Sequence, residues 1–576
     1  MTPLKFLKGL AMGLSLSPIA GISYASAQSQ VMTSVERWGK YETTFLVPAA
    51  EVTGNPFEVE LVATFVCDRD TLIVPGYYDG PEVVAAKRPS RKGKRKETAS
   101  EMLRWKVRFM PPTIGEWQYT TASPIPSLNG QSGYLRSSMP QPDNHGPVRV
   151  DSTGLHFCYA DGLPYLPVGT TSYDWMHASN DPAFSTADPG LTMQQQTLVS
   201  LGESGFNKIR SLLIVQNFDR SYPEPESFPF EGDTSRWDWS RLNPRYFDHV
   251  EQCIEGLQAL GLEMDLILFH PYDGGRWGFD SMPREAGELL CRYVAARFGA
   301  YRNVWWSLAN EYDFLKEQPI ANWDAWTDVL LANDPYHHLI SIHSYTAKYY
   351  KYWDERYTHC SIQDQAPVED FGRAATVRNI YKKPVIFDEV CYEGDMGERW
   401  GWLSGQEMLF RMYQAYLAGT YCTHAECFQY GNPHDFSRDF LAVGGKWQGE
   451  SWMRINFMRH QILDEMPRPM YLPDSSWDPY TSACGPGYYM VYLGKTIGEE
   501  WRFDLPIRNL RDFYPRIQEG EHYQLEIIDT WNMTIERCPI TFETKKQDFY
   551  RMVDSEARSV KLPQQPYLLL RIKRID

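Results

Sequence analysis

Two short apolar runs of this chain each lead into a carboxylate. The run NVWWSLANEYD contains Asn310 and Glu311, and the run KPVIFDEVCYEG contains Asp388 and Glu389. A buried strand has no structural reason to finish on an ionised group, because taking a charge out of water is costly. Two such strands in one chain predict two glutamates that face each other across a cleft. A facing pair of carboxyl groups is the minimum machinery for cleaving a glycosidic bond.

The two carboxyl groups would need different protonation states for this chemistry. One must donate a proton to the leaving oxygen, while the other must be ionised to meet the positive charge at the anomeric carbon. We expect Glu311 to have the higher pKa, since two close carboxylates cannot both ionise freely. The amide of Asn310 could hydrogen-bond a sugar hydroxyl beside the reacting carbon. Two alternatives stay open: Asp388 competes with Glu389 for the second role, and both glutamates could be structural ion-pair partners of Arg or Lys.

The elements that must position these residues lie between residues 150 and 470, where strand-like and helix-like segments alternate. Eight strand–helix pairs can be assigned, which is the number in a (β/α)8 TIM barrel. The fifth pair joins a strand at 339–343 to a helix at 349–357. In such barrels the chemistry lies at the C-terminal ends of the strands. Glu311 follows strand four and Glu389 ends strand seven, so the pattern places both at that face.

Two all-β domains are predicted to flank the barrel, which makes the fold class α/β with added β-sandwiches. Residues 31–145 contain alternating, β-rich runs and are expected to form an Ig-like sandwich, and residues 472–576 are expected to form a second one.

Residues 1–27 resemble a bacterial signal peptide, because two lysines precede an apolar segment that ends in the A-x-A sequence Ala25-Ser26-Ala27. A membrane anchor is the alternative, but this apolar segment is short and rich in glycine and serine. We therefore expect a periplasmic or secreted protein.

Composition argues against several classes of function. The formal net charge is −16, which disfavours nucleic acid and anionic membranes as partners. The basic run KRPSRKGKRK at 87–96 is the exception, and a solvated loop between two strands is favoured there over a polyanion site. The ten cysteines include no C-x-x-C pair, so buried free thiols are expected rather than disulfides or a zinc site. Aromatic residues make up 14% of the chain, and some of their rings suit the faces of sugars.

The chain resembles the clan A glycoside hydrolases. Members of that clan carry Asn-Glu at the end of strand four and a second glutamate at the end of strand seven, matched here by Asn310-Glu311 and Glu389. Arg210 matches an arginine often found at the end of strand two. The segments DEVCYEG, GTYCTHAE, GGKWQGESWMRINFMR and IDTWNMTI resemble bacterial glycosidases of family-5 or apiosidase type, which also have a β-sandwich before the barrel and a small β-domain after it. The resemblance implies that Glu389 is the nucleophile and Glu311 the acid/base.

Polar and aromatic residues at the predicted strand ends are expected to line the substrate subsites. The predicted substrate-binding residues are Arg210, Asn310, Trp175, His270, His343, Tyr345, Gln363, His424 and Glu426. Tyr173, Asp174, Tyr272 and Gln365 lie at the same strand ends. The clan often has a tryptophan at strand eight, so His424 and Glu426 depart from its pattern.

The sequence therefore predicts an exported, retaining glycoside hydrolase that cleaves O-glycosidic bonds of an oligo- or polysaccharide by double displacement. No metal or organic cofactor is implied. Nucleic acid is not expected as a partner, nor is insertion into a membrane after the signal peptide is removed. The sugar, the linkage, exo or endo action and the oligomeric state are not defined by the sequence.

Two other functions stay open. A non-catalytic carbohydrate-binding protein would fit the flanking domains and the aromatic residues, but it would not need two opposed glutamates. A metal-dependent barrel hydrolase is the second alternative, and its zinc ligands would be His270, Glu311, His343 and Glu389. Such barrels commonly begin with an H-x-H pair, which the strand-one sequence GTTSYDW lacks.

Overall fold

The structure is a computed structural model, and it describes residues 33–83, 101–217, 224–345, 348–364, 371–429, 435–467, 469–470, 481–485, 487–507 and 517–576. The predicted signal peptide at 1–27, the basic run at 87–96 and Gln365 lie outside these ranges. No helix in the described part of the chain is long and apolar enough to cross a membrane. Eight cysteines of the described residues are buried.

A closed barrel of eight parallel strands forms the centre of the molecule. Its strands are β1 (Gly169–Thr171), β2 (Lys208–Leu212), β3 (Glu263–Phe269), β4 (Val304–Ala309), β5 (Ile340–Ser341), β6 (Cys360–Gln363), β7 (Val385–Glu389) and β8 (Tyr421–His424). They pair in the order β5-β4-β3-β2-β1-β8-β7-β6, and a bridge between His343 and Ser361 joins β5 to β6 and closes the ring. All residues of β3 and β4 are buried, as expected for parallel strands covered on both faces. The predicted (β/α)8 barrel is confirmed.

Eight helices follow the barrel strands along the described part of the chain. They are α1 (Met193–Gly202), α2 (Pro244–Ala259), α3 (Arg284–Phe298), α4 (Ile320–Asn333), α5 (Phe371–Tyr381), α6 (Gly405–Leu417), α7 (Phe440–Val443) and α8 (Ser451–Met458). Local sequence fixes where several begin. Thr192 and Gln195 form a capping box at the start of α1, and Asn243 caps α2, whose first residue is Pro244. The starts of α1 and α2 are therefore defined by their local sequence.

One predicted helix does not form. Residues 349–357 fold as turns. The side chain of Asp354 accepts a hydrogen bond from the backbone N–H of Arg356, and such local bonds compete with helix formation. Tyr350, Tyr352 and Tyr357 are buried, and this spacing does not place them on one face of a helix. The chain thus reaches β6 from β5 without a helix, and a hairpin of Phe230–Asp233 and Arg236–Leu242 between β2 and α2 was not anticipated from the sequence.

The chain before the barrel is β-rich. Seven strands form one sheet, namely Thr33–Glu36, Tyr41–Pro48, Val62–Cys67, Asp70–Val83, Glu101–Phe109, Gly115–Ala122 and Ser132–Ser138. From Glu116 to Ala122 exposed and buried residues alternate, which is the period of a strand with one face in a core. The rings of Phe65 and Phe109 stack in that core with centroids 3.9 Å apart. A small sheet of Val148–Val150, Phe157–Tyr159 and Pro164–Tyr165 leads into β1.

The chain after the barrel is also β-rich, with a core of its own. Its strands are Thr481–Gly485, Tyr488–Tyr492, Glu500–Arg502, Asp504–Pro506, His522–Asp529, Thr534–Lys546, Arg551–Asp554, Ser559–Lys561 and Leu568–Arg574. Leu568–Arg574 lies centrally between Tyr488–Tyr492 and His522–Asp529. Leu525, Phe542 and Leu570 are fully buried in this core. The prediction of a β-rich region on each side of the barrel is therefore confirmed.

Candidate active site

A cavity of about 360 Å³ opens at the C-terminal ends of the barrel strands, and we call it the central cavity. The residues that line it are Tyr173, Tyr272, Glu311, Phe314, Tyr345, Gln363, Glu389, Cys391, Tyr392, Trp400 and Leu441. Six of these side chains are aromatic, and two are carboxylates. An apolar cavity with a few converging polar groups is the usual form of a small-molecule site.

Glu311 immediately follows Asn310 at the end of β4 and reaches into the central cavity. Its backbone has φ 43° and ψ 49°, a left-handed conformation that is uncommon for a residue with a Cβ. The hydroxyl of Tyr272 donates to Oε2 over 2.8 Å, and Nε2 of Gln363 donates to Oε1 over 3.1 Å. Burial, followed by the charge of Glu389, raises the pKa of Glu311 to about 8. Glu311 is therefore protonated at neutral pH and able to donate a proton.

Glu389, the last residue of β7, has the opposite electrostatic environment. Burial opposes its ionisation, yet His343 and Arg210 together lower its pKa below the ordinary value of a glutamate. Nε2 of His343 and Nη1 of Arg210 each lie 3.4 Å from Oε1. The hydroxyl of Tyr173 donates to the same oxygen over 2.9 Å. Glu389 is therefore an ionised carboxylate facing a protonated one.

The carboxamide of Gln363 joins the two glutamates. Its Nε2 donates to Glu311 Oε1 over 3.1 Å and to Glu389 Oε2 over 2.7 Å. Since both contacts share one nitrogen, these two carboxylate oxygens can be no farther apart than about 5.8 Å, the combined length of the contacts. Gln363 reaches this position because β6 pairs with β7, and a register shift after Ile362 sets Gln363 opposite Glu389.

Asp388 precedes Glu389 but has a different environment. It is fully buried, accepts hydrogen bonds from Ser361 and Thr423, and lies 2.9 Å from Nζ of Lys208. Lys208 and then Arg210 hold the pKa of this carboxyl far below its usual range despite burial. Asp388 is not among the residues that line the central cavity. Of the two neighbouring carboxylates, Glu389 is the one that faces the cavity.

Asn310 is placed differently from its expected position beside a sugar hydroxyl. Its side chain is fully buried and does not line the central cavity. Oδ1 accepts a hydrogen bond from Nη2 of Arg210 over 2.6 Å. Nδ2 donates to the hydroxyls of Tyr272 and Tyr173, over 2.5 Å and 3.3 Å. The amide of Asn310 therefore lies behind two tyrosines that themselves contact the glutamates.

The other predicted substrate-binding residues divide into two groups. Tyr345 and Gln363 line the central cavity, while Arg210 and His343 lie beneath it and contact Glu389. His343 is fixed by a contact of 2.9 Å between Nδ1 and the hydroxyl oxygen of Ser361. These four residues converge on the glutamate pair.

Trp175 and His270 do not line the central cavity, which corrects their expected placement. Trp175 is fully buried, and its indole N–H donates to the hydroxyl of Ser211 over 2.7 Å. The ring of His270 lies 2.7 Å from the carbonyl oxygen of Ile214, and burial lowers its pKa to about 4. Both side chains satisfy buried polar groups of neighbouring strand ends. The sequence alone does not show which polar groups need such a partner.

His424 and Glu426 also lie away from the central cavity. Nδ1 of His424 is 3.0 Å from the hydroxyl of Thr170, and its ring stacks on Phe206. Glu426 accepts hydrogen bonds from the backbone N–H groups of Gln448 and Gly449 over 2.6 Å and 2.9 Å. These contacts anchor the segment that leads into α8. The predicted role of both residues as subsite lining is not supported by this placement.

Among the described residues, one group of side chains has ligand atoms close enough to hold a metal ion. It consists of Glu393, His424 and Glu426, whose ligand atoms lie within 4.8 Å of one another. Backbone and hydroxyl donors from residues 448–451 already occupy the carboxylate oxygens of this group. The zinc ligands considered from the sequence, which included His270 and His343, are not part of it.

Several residues that line the central cavity were not anticipated. They are Phe314, Cys391, Tyr392, Trp400 and Leu441, which lie in the connections after β4, β7 and β8, with Leu441 in the short helix α7. Tyr392 has a weak sequence signal, because it stands only three residues after Glu389. Trp400 and Leu441 have none, since each is brought to the cavity by a connection whose path depends on tertiary packing.

Comparison with known proteins gives a family match for three parts of the chain. Residues 152–432 match the model of the apiosidase-like catalytic domain. Residues 34–124 and 477–573 match two domains of unknown function, DUF5060 and DUF5605. No curated protein matches the chain.

Solved structures similar to this chain include a protein from Bacteroides vulgatus ATCC 8482 described as a "putative glycoside hydrolase". It is 41% identical, with a TM-score of 0.83, and the match covers 94% of this chain and 100% of that one. A glycoside hydrolase family 5 protein from the same organism is 15% identical, with a TM-score of 0.53 and coverage of 76% and 95%. The second similarity concerns the fold alone. The high identity and nearly complete coverage of the first, together with the domain match, mean that the chain belongs to the family of glycoside hydrolases with an apiosidase-like catalytic domain.

Proposed function

We propose that the protein is an exported, retaining glycoside hydrolase that cleaves O-glycosidic bonds of an oligo- or polysaccharide. The observation that carries the proposal is the pair Glu311 and Glu389, which face one cavity with pKa values displaced in opposite directions. Glycosidic cleavage requires one protonated and one ionised carboxyl group on either side of the bond.

The proposed reaction has two steps. In the first, an oxygen of Glu389 attacks the anomeric carbon, while Glu311 gives its proton to the leaving oxygen as the glycosidic bond breaks. In the second, water attacks the glycosyl ester and Glu311 takes a proton from that water, which restores both carboxyl groups. Arg210 and Tyr173 stabilise the carboxylate form of Glu389 in the free enzyme and as it leaves the sugar.

The short separation of the carboxyl groups favours retention of configuration. Retaining enzymes hold the two groups about 5–5.5 Å apart, whereas inverting enzymes leave roughly 6.5–9.5 Å for a water molecule. Oε1 of Glu311 and Oε2 of Glu389 are at most about 5.8 Å apart because they share the Gln363 donor. A water molecule has little room between these two oxygens.

The substrate is expected to be a sugar whose ring faces pack on aromatic side chains. Trp400, Tyr392, Phe314 and Tyr345 surround the two carboxylates in the central cavity. Apolar ring faces with polar edges suit sugars, which present C–H faces and hydroxyl edges. The family match makes an aryl apioside one of the substrates to test.

Export is proposed from the sequence of residues 1–27, which has the charged start, apolar middle and A-x-A ending of a signal peptide. Expression of the full chain in a bacterium, followed by fractionation and N-terminal sequencing of the product, tests this part separately. A mature chain beginning at Gln28 in the periplasm or medium is the expected result, and an uncleaved cytoplasmic chain would contradict it.

The enzymatic proposal is tested on a panel of aryl glycosides that includes an apioside. We expect hydrolysis of at least one member, with loss of activity in Glu389→Ala and a first product of retained anomeric configuration by ¹H NMR. Arg136→Met, at an exposed position of the N-terminal sheet, serves as the control variant and should remain active. Hydrolysis that survives in Glu389→Ala, or an inverted first product, would contradict the mechanism. Binding of glycans without any hydrolysis would favour the carbohydrate-binding alternative.

A further inference from the structure

A closed ring of hydrogen bonds surrounds the two glutamates. We call it the carboxylate ring, and its members in order are Asn310, Tyr272, Glu311, Gln363, Glu389 and Tyr173. Each of the four carboxylate oxygens receives at least one donor from it. Glu311 receives Gln363 and Tyr272, and Glu389 receives Gln363 and Tyr173.

Gln363 is the direct link of the ring. The two hydrogens of its amide nitrogen are both used, one toward each glutamate. Its Oε1 is buried and has no hydrogen-bond partner among the described residues. A buried acceptor without a donor is costly. The orientation of the amide is therefore set by the two hydrogen bonds that Nε2 donates to the carboxylates, and not by a hydrogen bond to Oε1. The amide nitrogen is therefore held between the glutamates as a donor that both of them share.

On the side of the carboxylate ring opposite Gln363, Asn310 links the two glutamates indirectly, through Tyr272 and Tyr173. Its two amide hydrogens go to the hydroxyls of Tyr272 and Tyr173, and each hydroxyl then donates its own hydrogen to a different glutamate. The donors along each branch all point from Asn310 toward a carboxylate. Such a chain polarises each hydroxyl and strengthens the last bond in it.

We propose that Gln363 is a positioning residue that holds both carboxylates through one shared amide nitrogen and sets the proton affinity of each. This inference rests on the proposed function. It assigns Asn310 to the support of the two tyrosines, whereas the sequence predicted that its amide would hydrogen-bond a sugar hydroxyl. Two carboxyl groups this close repel when both are ionised, and a donor shared between them offsets that repulsion.

Gln363→Met is the first test, because methionine nearly keeps the volume and removes both donors. A hydrogen bond donated to a carboxylate lowers its pKa, so its loss raises the pKa of both glutamates. The acidic and alkaline limbs of the kcat/KM profile should both move to higher pH, by about one unit each. We also expect kcat to fall by between about tenfold and a hundredfold, with KM changed less than about threefold.

The tyrosines give a pattern that a general loss of structure would not produce. Tyr272→Phe removes a donor from Glu311 only, so the alkaline limb should move up while the acidic limb stays. Tyr173→Phe removes a donor from Glu389 only, so the acidic limb should move up while the alkaline limb stays. The other titratable neighbours of the pair, which are Arg210, His343, Tyr392 and Asp313, are unchanged in all these variants.

Gln524→Met is the matched control, since Gln524 is a buried glutamine of the C-terminal β region. It should leave both limbs and kcat unchanged. A Gln363→Met enzyme whose limbs match those of the wild type would overturn the proposal. Equal movement of both limbs in Tyr272→Phe and in Tyr173→Phe would also overturn it, because each tyrosine of the carboxylate ring donates to a different glutamate. A wild-type protein without hydrolytic activity would instead contradict the proposed function, so the two failures are distinguishable.

Discussion

The side chain of Arg108 in the N-terminal sheet donates a hydrogen bond from Nη1 to the backbone carbonyl of Arg297 near the end of α3, over 2.8 Å. Both guanidinium groups are buried, and both form ion pairs with Glu251 of α2. Arg297 also lies 3.3 Å from Asp79 of the N-terminal sheet. Buried charges of the N-terminal sheet and of the barrel helices α2 and α3 compensate each other. The N-terminal β region and the barrel are therefore expected to unfold together.

Arg108→Met should destabilise the protein by about 3 kcal/mol, because it leaves buried carboxylates with one cation fewer. Denaturant unfolding checks this, with Arg136→Met as an exposed control on the same sheet.

Burial acts against ionisation of Glu251, but Arg108 and Arg297 lower its pKa to about 2. A depressed carboxyl pKa stabilises the folded state above the unfolded pKa and loses that effect as the pH falls through the folded one. The difference between variant and wild type should therefore narrow from pH 5 toward pH 2.

The pH dependence of activity should follow the two glutamates. Glu311 must be protonated, so kcat/KM should fall as the pH rises through about 8. Glu389 must be ionised, and its lowered pKa places the acidic limb below the ordinary range of a glutamate. A bell-shaped profile with its plateau between these limbs is expected. Measured on an activated aryl glycoside, Glu311→Ala should lack the alkaline limb, and a profile identical to that of the wild type would exclude Glu311 as the acid.

The loss of rate on removing Glu311, the proposed proton donor, should depend on the leaving group. Glu311→Ala should slow hydrolysis of substrates with poor leaving groups by about 10²–10⁴-fold, the usual contribution of general acid catalysis. Aryl glycosides with acidic phenols should be affected much less, because they leave without a proton. The rates of a series of substituted aryl glycosides measure this difference. The slope of the logarithm of the rate against the pKa of the phenol is compared between variant and wild type. A slope equal to that of the wild type would contradict the assignment.

Glu389 and Asp388 should respond differently to removal of the carboxylate. Glu389→Ala should be nearly inactive, and azide should restore turnover by forming a glycosyl azide of inverted configuration. Asp388→Ala should instead lose stability, because Lys208 and Arg210 then lie in the barrel with one carboxylate fewer. Thermal unfolding and azide rescue are measured on both variants. Azide rescue of Asp388→Ala alone would reverse the assignment.

The strands and the two glutamates could be predicted because each depends on a short stretch of sequence. The runs that became β3 and β4 are continuous apolar segments, and burial on both faces of a parallel strand requires that pattern. Glu311 stands out because an acidic residue follows such a run directly. Parallel strands then bring their ends to one face of the barrel, which explains why residues distant in sequence could be grouped correctly.

The detailed contacts could not be predicted because they depend on register and loop paths. Gln363 lies opposite Glu389 only because of a register shift between β6 and β7. Trp175 and His270 also follow strand ends, yet their side chains do not line the cavity and instead satisfy buried polar groups of Ser211 and Ile214. Sequence identifies a residue at a strand end, but it does not determine whether the side chain points into the cavity or beneath it.

The left-handed backbone of Glu311 has a consequence for the evolution and engineering of this enzyme. A residue with a Cβ is disfavoured in this conformation by roughly 1–2 kcal/mol, while glycine is not and asparagine tolerates it better. The chain would thus gain stability by giving up the proposed proton donor. Selection for thermal robustness alone would erode activity at this position, and only selection for turnover keeps a glutamate there.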